Sequence, residues 1–439
     1  MFKKILPPLV ISAISLGIVF YRFPSLPKNL SYDEVQFAKL ALSLNGKPYI
    51  PYSPLATGHA TLYFYVILLS FKIFGINNFA LRFPAAFFGI LNPLVFYFIL
   101  KLIFKKYFSF PRSILPSLLP LLLSIVFATS RWYFNFARFS FEVTFLLFLE
   151  LISLYFLLKS TDTHFEPACR QARHLRSGQA SAKEWVFLNA RNAVSGFLII
   201  SGIFAGLAFN SYTPGRIFFL LPLAILAIKT IQQFNNLAIK RLLYFVIPFV
   251  IIIIPLTLYL LIHPDIRIDQ EFFLKNTELS TQQKGEFLAD NIVFTALEFN
   301  VKGDVNGRHN YPYKPALNPI LGILFLAGLV IAIQRFSNTN NLLFLIYFLL
   351  SLIPAILTYP WENPSMLRTF TAIPAIVYFI GLSIAALLKR SNKLLLLIIC
   401  ILLFVSAVYE IRTYFFYQSR VFPAAFEIKQ SLPQAMVKF

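Results

Sequence analysis

Cysteine and charge are both scarce in this sequence. Cysteine occurs only 2 times in 439 residues, and neither copy lies in a C-x-x-C or comparable spacing. This argues against a disulfide framework and against a cysteine-based redox or metal centre. Charged residues make up 13% of the chain, which is too little to cover the surface of a water-soluble protein of this length.

Apolar residues are in excess. They account for 58% of the chain, and the mean hydropathy is +0.71. The lipid bilayer is therefore the expected solvent, and we predict an all-α polytopic integral protein of the plasma membrane. The net charge of +21 does not indicate nucleic-acid binding, because the basic residues stand at the ends of apolar runs instead of clustering on one face.

About eleven apolar runs are candidates for transmembrane helices. Crossing a hydrocarbon core of about 30 Å takes roughly 20 helical residues. A further run at 60–74 is short and interrupted by polar groups, so we interpret it as an interfacial helix. The predicted spans are 5–23, 80–104, 114–130, 143–159, 194–210, 217–229, 242–262, 316–334, 342–358, 369–388 and 394–411.

The basic residues give these helices an orientation. With the N-terminus in the cytoplasm, Lys3, Lys4 and the Lys and Arg of four later connections fall on the cytoplasmic side, as the positive-inside rule requires. No small-x-small cleavage site follows the first run, so we expect it to stay as an anchor. We predict a first half 1–230, a second half 231–411 and a short extracytoplasmic tail 412–439.

Three longer connections interrupt the apolar runs. Loops 24–79 and 263–315 are extracytoplasmic in this topology, and the basic insertion 160–192 is cytoplasmic. Within the insertion, residues 166–184 change abruptly to Arg, Gln, Ala and Ser. We expect that stretch to lack fixed structure and catalytic residues.

Two adjacent carboxylates, Asp33 and Glu34, follow the first span. On a helix their side chains point about 100° apart, so one can face a reacting group while the other takes a supporting hydrogen bond. The alternative is a charge pair at the start of an interfacial helix capped by Ser31. The sequence leaves both interpretations open.

Three arginines, Arg138, Arg216 and Arg368, lie on the same predicted side, although basic residues are less common there. A guanidinium offers a planar fork for phosphate oxygens, so the three are candidates for holding a phosphate or diphosphate. Arginines that snorkel to the lipid headgroups are the alternative. His59 either donates to the same phosphate or caps the helix at 60–74. Glu150, inside the fourth span, is more typical of a paired buried acid than of a proton path.

In their order along the chain, these motifs resemble the C-type-fold membrane glycosyltransferases. The particular family is the one that contains protein O-mannosyltransferases and the aminoarabinose transferase of lipid A. The resemblance covers about residues 1–420 and is densest before 220. It rests on the Asp33-Glu34 pair, the runs 58–65 and 74–84, Ser130 with Arg131, Arg138 with Glu142, Tyr212 with Arg216, and residues 308–310.

This resemblance implies a C-type fold with interfacial helices in loop 24–79. It also implies transfer of a sugar from a polyprenyl-phosphate carrier to an extracytoplasmic hydroxyl, usually with inversion, with Asp33 as the base and Glu34 as its support or an acceptor contact. The resemblance leaves open whether the acceptor is a protein, a lipid or a glycan. It also leaves open whether a divalent cation takes part, since relatives differ in metal dependence. A lipid or polysaccharide transporter or flippase is the alternative function. The implied donor-phosphate residues are Arg138, Arg216, Arg368, His59 and Tyr212, and the implied acceptor or metal contacts are Glu142, Arg308 and His309.

Overall fold

The computed structural model describes residues 2–23, 25–105, 115–161, 180–232, 236–390 and 393–438, which are mostly helical. A short antiparallel hairpin pairs β1 (Tyr52–Ser53) with β2 (His59–Ala60). The α-helices are α1 (Phe2–Phe20), α2 (Tyr32–Ser43), α3 (Leu62–Phe74), α4 (Asn78–Phe104), α5 (Leu115–Thr129), α6 (Arg131–Phe136), α7 (Val143–Ser160), α8 (Ala180–Phe209), α9 (Gly215–Phe218), α10 (Leu220–Gln232), α11 (Asn236–Ile262), α12 (Ile266–Glu271), α13 (Thr281–Glu298), α14 (Pro319–Gln334), α15 (Thr339–Ile356), α16 (Ile373–Leu387), α17 (Lys393–Arg412), α18 (Phe422–Ala425) and α19 (Leu432–Lys438).

Every predicted apolar run coincides with a helix, which confirms the all-α membrane fold. Within the described residues, 7 helical stretches are long and apolar enough to cross a bilayer. Four other predicted spans correspond to shorter apolar helices, among them Ile5–Phe20 and Pro319–Gln334. The count of eleven spans therefore stays a prediction. Helix α3, with 13 residues, coincides with the run interpreted as interfacial.

The predicted C-terminal boundary of loop 160–192 is wrong. Helix α8 begins at Ala180, so residues 180–184 of the stretch expected to lack structure belong to a helix of 30 residues. The reason is composition: Ala180, Ala182, Lys183 and Glu184 are all residue types that favour helix. The other residues of that stretch that precede Ala180 lie outside the described residues.

Helix α16 lies at the centre of the helix bundle. Of the stretch Phe370–Leu387, 89% is buried, compared with 17% for Asn236–Ile262. Helices α5 and α14 pack against α16, and a series of packed neighbours runs from α5 through α4, α7 and α8 to α11. Helix α11 therefore lies at an edge that faces lipid.

Close packing of α14 on α16 depends on Gly328. A Cβ atom at this position would overlap the backbone carbonyl of Phe379, which cannot move without shifting α16. We expect Gly328→Ala to lower the free energy of unfolding by about 1–3 kcal/mol, despite the better helix propensity of alanine. Thermal unfolding in detergent measures the change. Gly196→Ala in α8, where nothing lies within 4 Å of the new Cβ, is the control, and equal losses for both would contradict the packing argument.

The C-terminal tail packs onto the first loop. Leu30 and Ile428 exchange two backbone hydrogen bonds of 2.9 Å, and the backbone N–H of Tyr32 donates to Glu427 Oε1 at 2.9 Å. The tail therefore contacts the start of α2, where the carboxylate pair lies.

Candidate active site

The carboxylate pair after the first span opens helix α2. Ser31 is the N-cap: its hydroxyl accepts from Glu34 N at 3.2 Å, while Glu34 Oε2 accepts from Ser31 N at 3.1 Å. This reciprocal capping satisfies two backbone N–H groups at the start of the helix. The cap that the sequence offered as an alternative is therefore present, and it involves only one of the two carboxylates.

Glu34 is fully buried in the protein interior. Its oxygens accept two hydrogen bonds from Arg82, at 2.7 and 2.9 Å, and one from the backbone N–H of Ser140 at 3.0 Å. Arg82 also donates to two backbone carbonyls of the first loop. These contacts join the first loop, α4 and the segment before α7. Glu34 thus positions Asp33, and the predicted acceptor contact of Glu34 finds no support in this geometry.

We expect Glu34→Gln to destabilise the fold. The substitution leaves the Arg82 charge buried without its partner, and breaking such a pair typically costs about 3–5 kcal/mol. Thermal unfolding measures the change. The control is Asp269→Asn, which removes one partner of the exposed Asp269–Lys275 pair and should cost less than about 1 kcal/mol. If both variants unfold at the same temperature, the buried pair does not stabilise the loop as described.

Asp33 lies in a more open environment. Its side chain is 44% exposed and accepts a hydrogen bond from Arg308 Nη1 at 2.5 Å. Arg308 comes from the loop between α13 and α14, which Asn135 holds by donating to the backbone carbonyls of residues 308 and 309. His309 is buried and lies 3.0 Å from Asp304, so it supports this loop. Asp33 is thus an accessible carboxylate that a guanidinium holds in place.

His59 and Glu142 form a buried pair, with 2.6 Å between His59 Nδ1 and Glu142 Oε1. The preceding Gly58 has a φ of +89°, and a Cβ there would overlap the Tyr52 hydroxyl, so the turn that presents His59 needs glycine. Phe37 of α2 packs edge-on against the His59 ring at 5.2 Å. Glu142 Oε2 is buried and has no hydrogen-bond partner among the described residues. That oxygen remains available to a ligand.

Arg267 links this pair to further charges, and its place in the site was not predicted from the sequence. Its guanidinium lies 3.2 and 3.3 Å from the His59 ring nitrogens, 3.1 Å from Glu271 and 5.2 Å from the centre of the Tyr212 ring. Burial lowers the pKa of Arg267, but the acidic groups around it, Asp33 among them, raise that pKa by more, so the guanidinium stays cationic. The i,i+4 spacing of Arg267 and Glu271 in a polar stretch after a span was the available signal.

Arg368 and Arg216 are each linked to Arg267 through a shared carboxylate. Arg368 donates to Glu271 at 3.2 Å and to Glu362. Arg216 donates to Asp265, whose other oxygen accepts from a tyrosine hydroxyl at 3.2 Å. All three arginines are therefore paired with carboxylates. We call Arg216, Arg267 and Arg368 the arginine cluster.

The ionisation of the groups around the arginine cluster follows from these contacts. Burial raises the pKa of Glu271, but the two guanidiniums beside it lower that pKa by more, so the net pKa lies below its usual value. Asp265 beside Arg216 shows the same balance. Burial raises the pKa of Tyr212 to about 12, so its hydroxyl stays protonated at neutral pH and can donate.

Arg138 is not part of this cluster, which corrects its predicted role in phosphate binding. It is fully buried, and its five N–H groups donate to four backbone carbonyls at and beyond the end of α1 and to one tyrosine hydroxyl. Carbonyls at a helix end lack intrahelical partners, so Arg138 caps α1. The acceptors belong to Ile18, Val19, Tyr21, Leu26 and Tyr414.

The site does not suit a bound divalent cation. Within the part of the chain that the structure describes, no group of three or more His, Cys, Asp or Glu side chains is arranged to hold a metal ion. Glu142 and His59 form a pair, but the Arg267 guanidinium lies 3.2 Å from the His59 ring and would repel a cation there. No step of the chemistry below is therefore routed through a metal.

Comparison with known proteins identifies the fold. No family model and no curated protein matches this sequence. Among solved structures, the oligosaccharyltransferase AglB from Archaeoglobus fulgidus, in complex with an inhibitory peptide and a dolichol-phosphate, superposes with a TM-score of 0.54 at 13% identity. ArnT from Cupriavidus metallidurans, bound to undecaprenyl phosphate, superposes with a TM-score of 0.50 at 14% identity. The chain has the C-type glycosyltransferase fold.

The C-type fold accounts for nearly all of this chain. The match covers 96% of it against AglB and 98% against ArnT. The chain spans 56% of the AglB chain and 77% of the ArnT chain. The resemblance predicted from the sequence is therefore confirmed at the level of the fold. Within this C-type fold, the site combines the first loop with segments of both predicted halves, so its chemistry depends on the whole helix bundle.

Proposed function

We propose that this protein transfers a sugar from a polyprenyl-phosphate carrier to an acceptor hydroxyl on the extracytoplasmic side of the membrane. The observation that carries the proposal is an accessible carboxylate, Asp33, on the same helix as Phe37, which packs against the His59 ring that Arg267 contacts. The fold supports it, because both neighbours were solved with a polyprenyl phosphate of the kind proposed as carrier.

Asp33 acts as the base in this reaction. The acceptor oxygen forms a bond to the anomeric carbon while the bond from that carbon to the carrier phosphate breaks. The hydroxyl proton passes to Asp33, and the electron pair of the broken bond stays on the phosphate. Attack opposite the phosphate inverts the anomeric centre. The half-exposed side chain and its hydrogen bond from Arg308 fit a fixed, accessible base.

The arginine cluster stabilises the charge that develops on the phosphate. Each of its guanidiniums is paired with a carboxylate. A phosphate that takes the place of such a carboxylate beside its guanidinium exchanges one anion for another and needs no new cation. Guanidiniums suit this task because their planar fork matches two phosphate oxygens. The protonated hydroxyl of Tyr212 supplies a further donor beside Arg267.

We further propose that the N-terminus is cytoplasmic and that Asp33 faces the extracytoplasmic side. The positive-inside distribution of Lys and Arg supports this orientation. The carrier's tail is apolar, so its phosphate reaches the protein at the membrane boundary, where the first loop meets the helix ends.

Transport is the weaker alternative. A transporter binds its substrate near the bilayer midplane, between repeated halves. Glu150, the acid inside α7, accepts a hydrogen bond from Tyr347 at 2.7 Å and is therefore paired. The charged pairs of the candidate site instead involve loops and helix ends.

Reconstituted vesicles test the proposed reaction directly. The purified protein is incubated with radiolabelled polyprenyl-phosphate sugars and with a membrane extract as the source of acceptors. Transfer of label to a protein, lipid or glycan fraction is the expected result, and the labelled fraction identifies the acceptor class. Movement of the intact labelled carrier across the vesicle membrane without any transfer would favour the transporter.

A further inference from the structure

A separate cavity of about 350 Å³ lies between the start of α14, the end of α17 and the loop that precedes α14. Its lining shares no residue with the arginine cluster or with Asp33. The lining residues used below are Asn300, Lys314, Asn318, Gly322, Ile323 and Tyr409.

The cavity adjoins an apolar surface. Ile323 on α14 is 70% exposed, and Leu402 and Val405, which share a face of α17 with Tyr409, are also exposed. Both helices are apolar, and α17 belongs to a stretch that is long enough to cross a bilayer. Exposed apolar side chains on such helices face lipid chains. The cavity therefore lies where lipid headgroups meet the helix ends.

The polar groups of the cavity are suited to bind an anion and a hydrogen-bond donor. Lys314 Nζ donates to the Tyr409 hydroxyl at 2.5 Å and lies 4.0 Å from the centre of that ring. No carboxylate among the described residues pairs with Lys314. Asn300 Oδ1 is buried and accepts no hydrogen bond from the described part of the chain. The nearby acid Glu410 is already paired with Arg131.

We propose that this cavity binds the headgroup of an anionic glycerophospholipid. The phosphate lies against Lys314, a headgroup hydroxyl donates to Asn300 Oδ1, and the acyl chains follow the apolar surface of Ile323 and Val405. A volume of about 350 Å³ is at the small end of ligand pockets and suits a glycerophosphate group. The site is independent of the proposed sugar transfer.

Lipid exchange on the full-length protein tests this site. The protein is delipidated in detergent and then titrated with phosphatidylglycerol, phosphatidylcholine or inorganic phosphate, while thermal unfolding and retained lipid are measured. We expect phosphatidylglycerol to be retained and to raise the Tm. Phosphatidylcholine has no net charge and no donor hydroxyl, and inorganic phosphate has no acyl chain, so both should have little effect. An equal effect of either would overturn the proposal.

Two variants sharpen the test. Lys314→Gln should weaken phosphatidylglycerol retention about fivefold, as expected for one basic residue at an anionic lipid. Gly322→Leu fills the cavity, because even a Cβ atom at this position approaches Asn300 to 3.1 Å, and it should weaken retention with Lys314 intact. The control is Lys302→Gln, which removes an exposed lysine that does not line the cavity. Equal losses for Lys302→Gln and Lys314→Gln would indicate a general surface charge effect and overturn the proposal.

Discussion

Asp33→Asn is expected to reduce sugar transfer by about 10²–10⁴-fold, the usual contribution of a positioned general base. Asparagine keeps the size of the side chain and an oxygen that can accept from Arg308, so the loop should stay in place. It cannot take up the proton of the acceptor hydroxyl. Transfer of label from the polyprenyl-phosphate sugar in vesicles measures the loss, with thermal unfolding as the check on folding.

The matched control for this substitution is Asp269→Asn. Asp269 is also an exposed aspartate in an ion pair, and among the described residues its carboxylate pairs with Lys275 and not with an arginine of the cluster. Its substitution should leave transfer unchanged. If Asp33→Asn retains wild-type activity while remaining folded, another group must take the proton and Asp33 is not the base.

Arg267→Gln is expected to lower kcat by about 10²–10³-fold. This is the usual effect of removing one preorganised donor from a group on which negative charge develops in the transition state. The same substitution removes the contact between the His59–Glu142 pair and Glu271, so donor binding should weaken as well. Initial rates at several donor concentrations separate the two effects. Arg420→Gln, at an arginine that lies over Phe416, is the control and should change neither. A variant that folds and keeps wild-type kinetics would remove Arg267 from the site.

The helices could be predicted from the sequence because the backbone of an apolar run in lipid must satisfy its own hydrogen bonds, which a helix does. The runs at 80–104 and 143–159 match helices Asn78–Phe104 and Val143–Ser160 within two residues at each end. The start of α8 could not be predicted in this way, since residues 180–192 are helical for reasons of local propensity and carry no long apolar run.

The site could be predicted only in part. The predicted orientation places Asp33, His59, Glu142, Tyr212, Arg216 and Arg368 on one side of the membrane. All of them except Asp33 belong to one connected set of contacts. Helix α2, which carries Asp33, joins this set through Phe37 and His59. The partner of each arginine could not be predicted from the sequence. Arg138 and Arg216 look equivalent as outward arginines, yet one caps α1 and the other meets Asp265. A residue type does not say which acceptor the fold brings to it.

The missed Arg267 illustrates the same limit. It lies in the loop 263–315, far from the motifs of the first half, and nothing in its local sequence points to His59 or Tyr212. Arg267 and His59 are 208 residues apart and meet only because the short helix α12 packs beside the β1–β2 hairpin. Long-range contacts of this kind depend on the whole bundle.

In the proposed reaction the arginine cluster holds the carrier phosphate, while Asp33 takes the proton of the acceptor. Equilibrium binding of undecaprenyl phosphate to the wild type, Arg267→Gln and Asp33→Asn in lipid nanodiscs separates these two roles. We expect Arg267→Gln to weaken binding by about tenfold or more, whereas Asp33→Asn stays within about twofold of the wild type. Unchanged binding by a folded Arg267→Gln, or an equal loss in Asp33→Asn, would contradict these roles.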